Sequence, residues 1–243
     1  MTRRGIRLAL MAALFVVFAP GTTIAQTGTI VDWGPDSYAT ESSYNAAAYF
    51  SNPGSSLNVY GIVNDFAGPM AALEPVPAGT EYTYVLTNLV SAGTVITVGG
   101  YANTYRTVYN TTNSALNNFL LYRSPTNADF AVPATFSDGV LALSGRFQSL
   151  TVTFTRRNSD SLVLGGNADT GTPSVLNGVF TGGSEFGRVS FNGAGCPFRV
   201  TGGWLAKGTF PAGYTAHFDG KLDIDCPTPA TPATWGRIKG QYH

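Results

Sequence analysis

The chain is poor in charge, in histidine and in cysteine, and each shortage narrows its function. Charged residues are 12% of its 243 positions and the formal net charge is zero, against a usual charged share of about 25%. No run or stripe of Lys and Arg is present, so the electrostatic footprint of a nucleic-acid-binding protein is missing. Histidine occurs only as His217 and His243, which leaves little for a Ser-His-Asp arrangement or a histidine-rich metal centre. A G-x-S-x-G elbow, an H-E-x-x-H pair and a phosphate-binding glycine loop are absent as well.

Long apolar runs are missing beyond the first residues. Arg3, Arg4 and Arg7 precede an apolar stretch from Ile6 to Phe18, and small residues end at Thr23-Ile24-Ala25, so residues 1–25 read as a secretory signal peptide. The stretch is shorter than the roughly 18 to 20 residues a spanning helix needs. No cysteine follows it to take a lipid. Without the three leader arginines, the charge balance falls to about −3. The reading is an exported bacterial protein, extracellular, on the cell surface or periplasmic, with no transmembrane segment once the leader is removed.

Short alternating runs fill the rest, punctuated by Gly, Pro, Asn and Asp. They predict strands over 57–63, 81–90, 94–109, 118–123, 139–147, 149–156, 161–165, 175–181, 187–192, 197–207 and 214–225. Residues 42–50 and 113–123 fit a helix as readily as a strand, with strand favoured over 118–123. The proline-rich stretch 65–79 predicts a loop or edge excursion. Together these imply an all-β fold: a single β-sandwich of antiparallel sheets, jelly-roll-like or similar, with a closed barrel as the alternative. Residues 26–226 form the domain, 227–234 (PTPATPAT) a Pro/Thr linker, and 235–243 a short tail.

The two cysteines lie in this last part of the domain. Along 214–225 the even positions are almost all apolar and the odd ones polar, and Phe198, Val200 and Trp204 mark the matching face of the preceding run. Folding the two runs about Phe210-Pro211-Ala212-Gly213, with both apolar faces on one side, sets Phe198 opposite Ile224, Val200 opposite Leu222 and Trp204 opposite Phe218. The same register puts Cys196 across from Cys226, at roughly 4.5 to 5.5 Å between Cα atoms, within reach of a disulfide. A metal pair or reactive thiol lacks companion ligands, so a disulfide is expected.

Three further groups are candidates for binding. On an extended chain Tyr101, Asn103, Tyr105 and Tyr109, with Thr107, share a face on which rings and amides form a sugar platform or ordinary sheet packing. Asp219, Asp223 and Asp225 alternate with His217 and Lys221, and Asn167 and Asp169 stand in a glycine-rich turn. Either set has oxygen ligands for calcium. For the first, a solvated ladder with Arg199 opposite Asp223 is the better account, and for the second a polar turn. The tail carries Trp235, Arg237, Ile238, Lys239 and Tyr242 as a docking or sorting element, against the alternative of a frayed terminus. No cofactor is expected beyond that calcium option.

With no reactive cluster, the expected function is a secreted, non-catalytic cell-surface or extracellular interaction or structural component, its partner a protein or glycan. A carbohydrate-binding module using the tyrosine face is the second reading, and a glycoside hydrolase or other secreted hydrolase the third.

Overall fold

The structure, a computed structural model, describes residues 27–34, 36–45, 50–157, 170–205 and 208–226. The expected leader, the linker and tail, the 161–165 strand, and Asn167 and Asp169 lie outside the described residues.

The strands, in chain order, are β1 (Thr27–Trp33), β2 (Ser37–Glu41), β3 (Tyr44–Asn45), β4 (Phe50–Ser51), β5 (Ser56–Ile62) and β6 (Asp65–Phe66). They continue with β7 (Thr80–Thr97), β8 (Ala102–Thr111), β9 (Phe119–Pro125), β10 (Val140–Arg146), β11 (Ser149–Arg157) and β12 (Thr170–Leu176). The last are β13 (Gly178–Gly182), β14 (Ser190–Phe191), β15 (Ala194–Gly195), β16 (Pro197–Leu205) and β17 (Ala216–Asp225). Helical structure among the described residues is confined to short 3-10 turns such as Gly68–Leu73, Pro133–Phe136 and Phe186–Val189. The fold is therefore all-β.

One antiparallel sheet of thirteen strands dominates, in the order β6-β1-β17-β2-β5-β7-β8-β11-β12-β16-β13-β10-β9, and β3-β4 and β14-β15 form small ribbons. Three strands hold it together by having three partners each, and β16 is one of them, pairing with β12, β13 and β17. β17 pairs with β16, β1 and β2. β7, at 18 residues, pairs with β5, with β9 through Thr80–Leu86 and with β8 through Leu89–Thr97. The change from β9 to β8 falls between Leu86 and Leu89, and a register shift between Ser91 and Thr94, within the β8 pairing, marks an extra residue that bends the strand.

The inward faces supply one continuous core, including Trp33, Leu57, Tyr84, Phe119, Phe154, Trp204 and Phe218. Each large side chain removed from water contributes about 1.5 to 3 kcal/mol. Trp33 packs on Tyr84 with ring centroids 4.6 Å apart. Its indole lies so close over Gly220 that a Cβ there would stand 2.6 Å from Nε1, which is why a glycine interrupts the otherwise apolar inner face of β17.

The last hairpin has the register expected from its alternation: Phe198 pairs with Ile224, Val200 with Leu222, Trp204 with Phe218 and Arg199 with Asp223. A disulfide joins Cys196 to Cys226 with Cα atoms 4.9 Å apart. The turn is wider than expected, since the strands end at Leu205 and resume at Ala216, and the Tyr214 N–H donates to Pro211 O at 3.1 Å.

Other boundaries differ from expectation for local reasons. The single strand expected over 94–109 is two, β7 and β8, split at Val98–Tyr101. A Cβ on Gly99 would lie 2.4 Å from the Ala102 carbonyl oxygen, so the chain turns where only glycine fits. The run 175–181 breaks at Asn177, with φ 55, into β12 and β13. The 187–192 run is mostly the 3-10 turn Phe186–Val189 followed by β14. β1 and β2 were not expected at all, whereas β9 covers most of the 118–123 strand.

Candidate functional site

At one end of the sheet the β7–β8 hairpin and the end of β11 run past the core. Val95 pairs with Arg106, Ile96 with Tyr105 and Thr97 with Thr104. Across β8, Arg106 faces Thr153, Tyr105 faces Phe154, and the backbones of Arg156 and Arg157 pair with Asn103 and Ala102. Burial falls off along this blade. Tyr109 at its base is 2% exposed, while Val95 is 66%, Val98 79% and Tyr101 70% exposed at its tip. Ile96 and Phe50 are also exposed large apolar residues, and Phe50 meets Tyr105 edge to face at 6.5 Å.

This geometry sorts the tyrosines. Asn103, Tyr105 and Tyr109 do share a face of β8, but that face turns inward, with Tyr105 packed against the core and Tyr109 part of it. Tyr101 lies in the turn between β7 and β8. The Asn103 side chain closes the hairpin by accepting from the Gly99 N–H at 3.3 Å.

Beneath the blade lies a carboxylate that alternation alone does not mark as special. Glu41 ends β2 on its inward face and is 8% exposed. Tyr109 OH donates to Glu41 Oε2 at 2.9 Å, and Ser51 Oγ donates to Oε1. Burial pushes the Glu41 carboxyl above its ordinary range, opposed by the hydroxyls of Ser51, Tyr109 and Ser55. Burial, reinforced by the neighbouring carboxylate, also pushes the Tyr109 phenol well above its usual value. Ser51 Oγ and Ser91 Oγ are 2.6 Å apart, the Ser51 N–H donates to Thr94 Oγ1 at 2.8 Å, and Thr94 Oγ1 meets Thr107 Oγ1 at 2.8 Å. The group thus ties β2, β4, β7 and β8 together under the hairpin. The hydroxyls of Ser51 and Tyr109 hold the carboxylate from two other strands, which is the arrangement of an anchor.

On the outer face of the last hairpin, Asp223 is 9% exposed because β1 covers it. Thr29 Oγ1 donates to its Oδ1 at 2.8 Å, and Arg199 Nε and Thr201 Oγ1 each lie 3.4 Å from Oδ2. Lys221 pairs with Asp32 at 3.2 Å. Asp219 and Asp225 remain exposed. Among the described residues no group of three or more His, Cys, Asp or Glu side chains is placed to hold a metal ion.

A half-buried aromatic group on the outside of the sheet escaped sequence reasoning. Tyr38 pairs with Tyr60 on one side and His217 on the other, and Phe130 closes over Tyr38 at 4.8 Å and Tyr214 at 5.5 Å. Tyr214 donates to Phe130 O at 3.1 Å, and desolvation pushes its phenol up to about 12. The only signal in the sequence was the outward parity of Tyr38 and Tyr60, which needed the register of β2 and β5 to be read. The group has the character of a satellite core under two loops. The described surface includes two open depressions: one of about 450 Å³ beside Arg146, Gln148 and Asn177, and one of about 350 Å³ beside the disulfide at Phe191, Pro197 and Asp225.

No protein-family model, no curated protein and no solved structure matches the chain.

Proposed function

We propose that the chain is an exported, non-catalytic interaction module whose contact surface is the tip of the β7–β8 hairpin. The observation that carries this reading is the exposure of Val95 on β7 and of Val98 and Tyr101 in the turn joining β7 to β8, above a base anchored by Glu41 and Tyr109. Large apolar side chains grouped on one projecting element cost solubility and mark interaction sites. The anchored base limits what ordering the tip would cost on binding. The disulfide supports an oxidising compartment, in line with the leader read from residues 1–25.

The test is retention on washed envelopes of the producing cell. Replacing Val98 and Tyr101 together by serine should lower retention about tenfold, a typical loss when central contact residues are truncated. Equal retention of the variant would end this reading. The glycan alternative is narrowed by the inward turn of Tyr105 and Tyr109, leaving Tyr101 as the exposed tyrosine of that set. Competition by soluble polysaccharide in the same assay tests it.

A further inference from the structure

The far end of β8 from the tip, roughly 30 Å along the strand, has a different character. Arg146 pairs with Val179 and Ser149 with Leu176, so β10–β11 and β12–β13 form one ribbon in one register. It is interrupted at Phe147 and Gln148 on one side and at Asn177 on the other. Asn177 takes φ 55 there, in the left-handed region that asparagine tolerates, and its Nδ2 donates to Gln148 Oε1 at 2.9 Å. The Gln148 N–H donates to Leu176 O at 2.8 Å, and the Thr111 N–H donates to Gln148 O at 3.1 Å, which brings the end of β8 against the interruption. The open depression of about 450 Å³ lies here, lined by Thr111, Ser114, Arg146, Gln148 and Asn177 beside the buried Phe147.

Its lining selects for charge. Arg146 is exposed, and the ion pairs among the described residues, Arg188 with Glu185, Arg199 with Asp223 and Lys221 with Asp32, do not include it. The segments that supply the lining, 102–128, 139–149 and 170–184, contain no Asp or Glu. A guanidinium donates and cannot accept, so its complement is a carboxylate or another oxyanion. The bond between Asn177 and Gln148 engages Gln148 Oε1 and one Asn177 N–H, which leaves the Gln148 amide donors and the Asn177 carbonyl oxygen for a ligand. Thr111 Oγ1 donates to Asn113 O at 3.1 Å and still accepts.

We propose that this depression binds a sugar acid, with the carboxylate on Arg146 and the ring hydroxyls on Gln148, Asn177 and Thr111. A neutral sugar leaves the guanidinium unused. A phosphate or sulfate ion sets an oxyanion against the Asn177 carbonyl oxygen, an acceptor that a hydroxyl satisfies. The volume falls within the about 300 to 1,000 Å³ usual for small-molecule sites. The site lies at the other end of β8 from the tip, so it stands or falls separately from the contact-surface reading.

The experiment is titration of the isotope-labelled full chain with sodium glucuronate, followed in amide proton–nitrogen spectra, with glucose and inorganic phosphate as parallel arms at matched ionic strength. Glucuronate should saturate with a Kd of about 1 mM, moving the amides of Thr111, Ser114, Gln148 and Asn177 and leaving those of Val98 and Tyr101 in place. Glucose and phosphate should each bind about tenfold more weakly, since each lacks one half of the match. Arg146→Gln should weaken glucuronate binding about tenfold, the loss expected for a charge-assisted bond, while glucose binding and the melting temperature stay at wild-type values. Asn177→Gly keeps the left-handed backbone and should weaken glucuronate and glucose alike, about threefold. Absence of saturable shifts at these amides by ~20 mM glucuronate, or binding indifferent to Arg146→Gln, overturns the site. Phosphate or glucose binding as tightly as glucuronate overturns the sugar-acid assignment.

Discussion

The β16–β17 hairpin and the β7–β8 hairpin are built from the same kind of alternating sequence, yet they do opposite things. In the first, every apolar residue of β17 from Ala216 to Ile224 turns into the core, and a disulfide closes the open end. In the second, the inward face runs out of interior to face, so Tyr109 is buried, Tyr105 half-buried and the tip exposed. Period-two patterning shows which residues share a face. It does not show how far that face extends over a core, and a contact surface can begin where the cover stops.

The contrast can be broken at its strongest point first. Phe218→Ala removes a wholly buried ring between Trp33 and Trp204 and should cost about 3 to 5 kcal/mol in chemical denaturation. Replacing both cysteines by serine should cost roughly 3 to 4 kcal/mol on the loop-entropy account, with the loss matched by wild-type protein in reductant. At the other hairpin, Gly99→Val forces a Cβ against Ala102 O and should cost about 1 to 3 kcal/mol, with amide exchange rising in β8 and not in β17.

Smaller effects sharpen the comparison at the blade's anchor. Because burial raises the Glu41 carboxyl above its ordinary range, the native state holds this proton more tightly than the unfolded chain. Its contribution to stability is then complete below the unfolded value and declines as pH rises through the folded one. Glu41→Gln should flatten that decline and, by removing a buried charge while keeping an acceptor for Tyr109, change stability by about 1 kcal/mol or less at neutral pH. A steep loss on this substitution, measured by denaturant titration across pH, would mean that the ionised carboxylate is needed. At the tip itself, Val98→Ser should move stability by under ~0.5 kcal/mol.

How much was legible follows the same division. The pairing of Arg199 with Asp223 and the bridging of Cys196 to Cys226 could be read from parity, because one hairpin with one buried face leaves a single consistent register. The cover that β1 lays over Asp223 could not. Gly28 and Gly34 punctuate that segment as a loop would be punctuated, and its partner is nearly the whole chain away. The Glu41 anchor was hidden for a like reason, since Tyr109 reaches it from β8, 68 residues along the chain. Long-range pairings leave no periodic mark, so the strands were more readable than their neighbours.

The pairing of β1 with β17 has a consequence for how the molecule comes into being. The opening strand of the domain docks beside its closing one, with Thr27 against Asp225, so the seam between them must wait until β17 has emerged. Assembly of this kind is slow to begin, and a chain unable to finish folding early is one that can still be threaded through a narrow conduit as a loose strand.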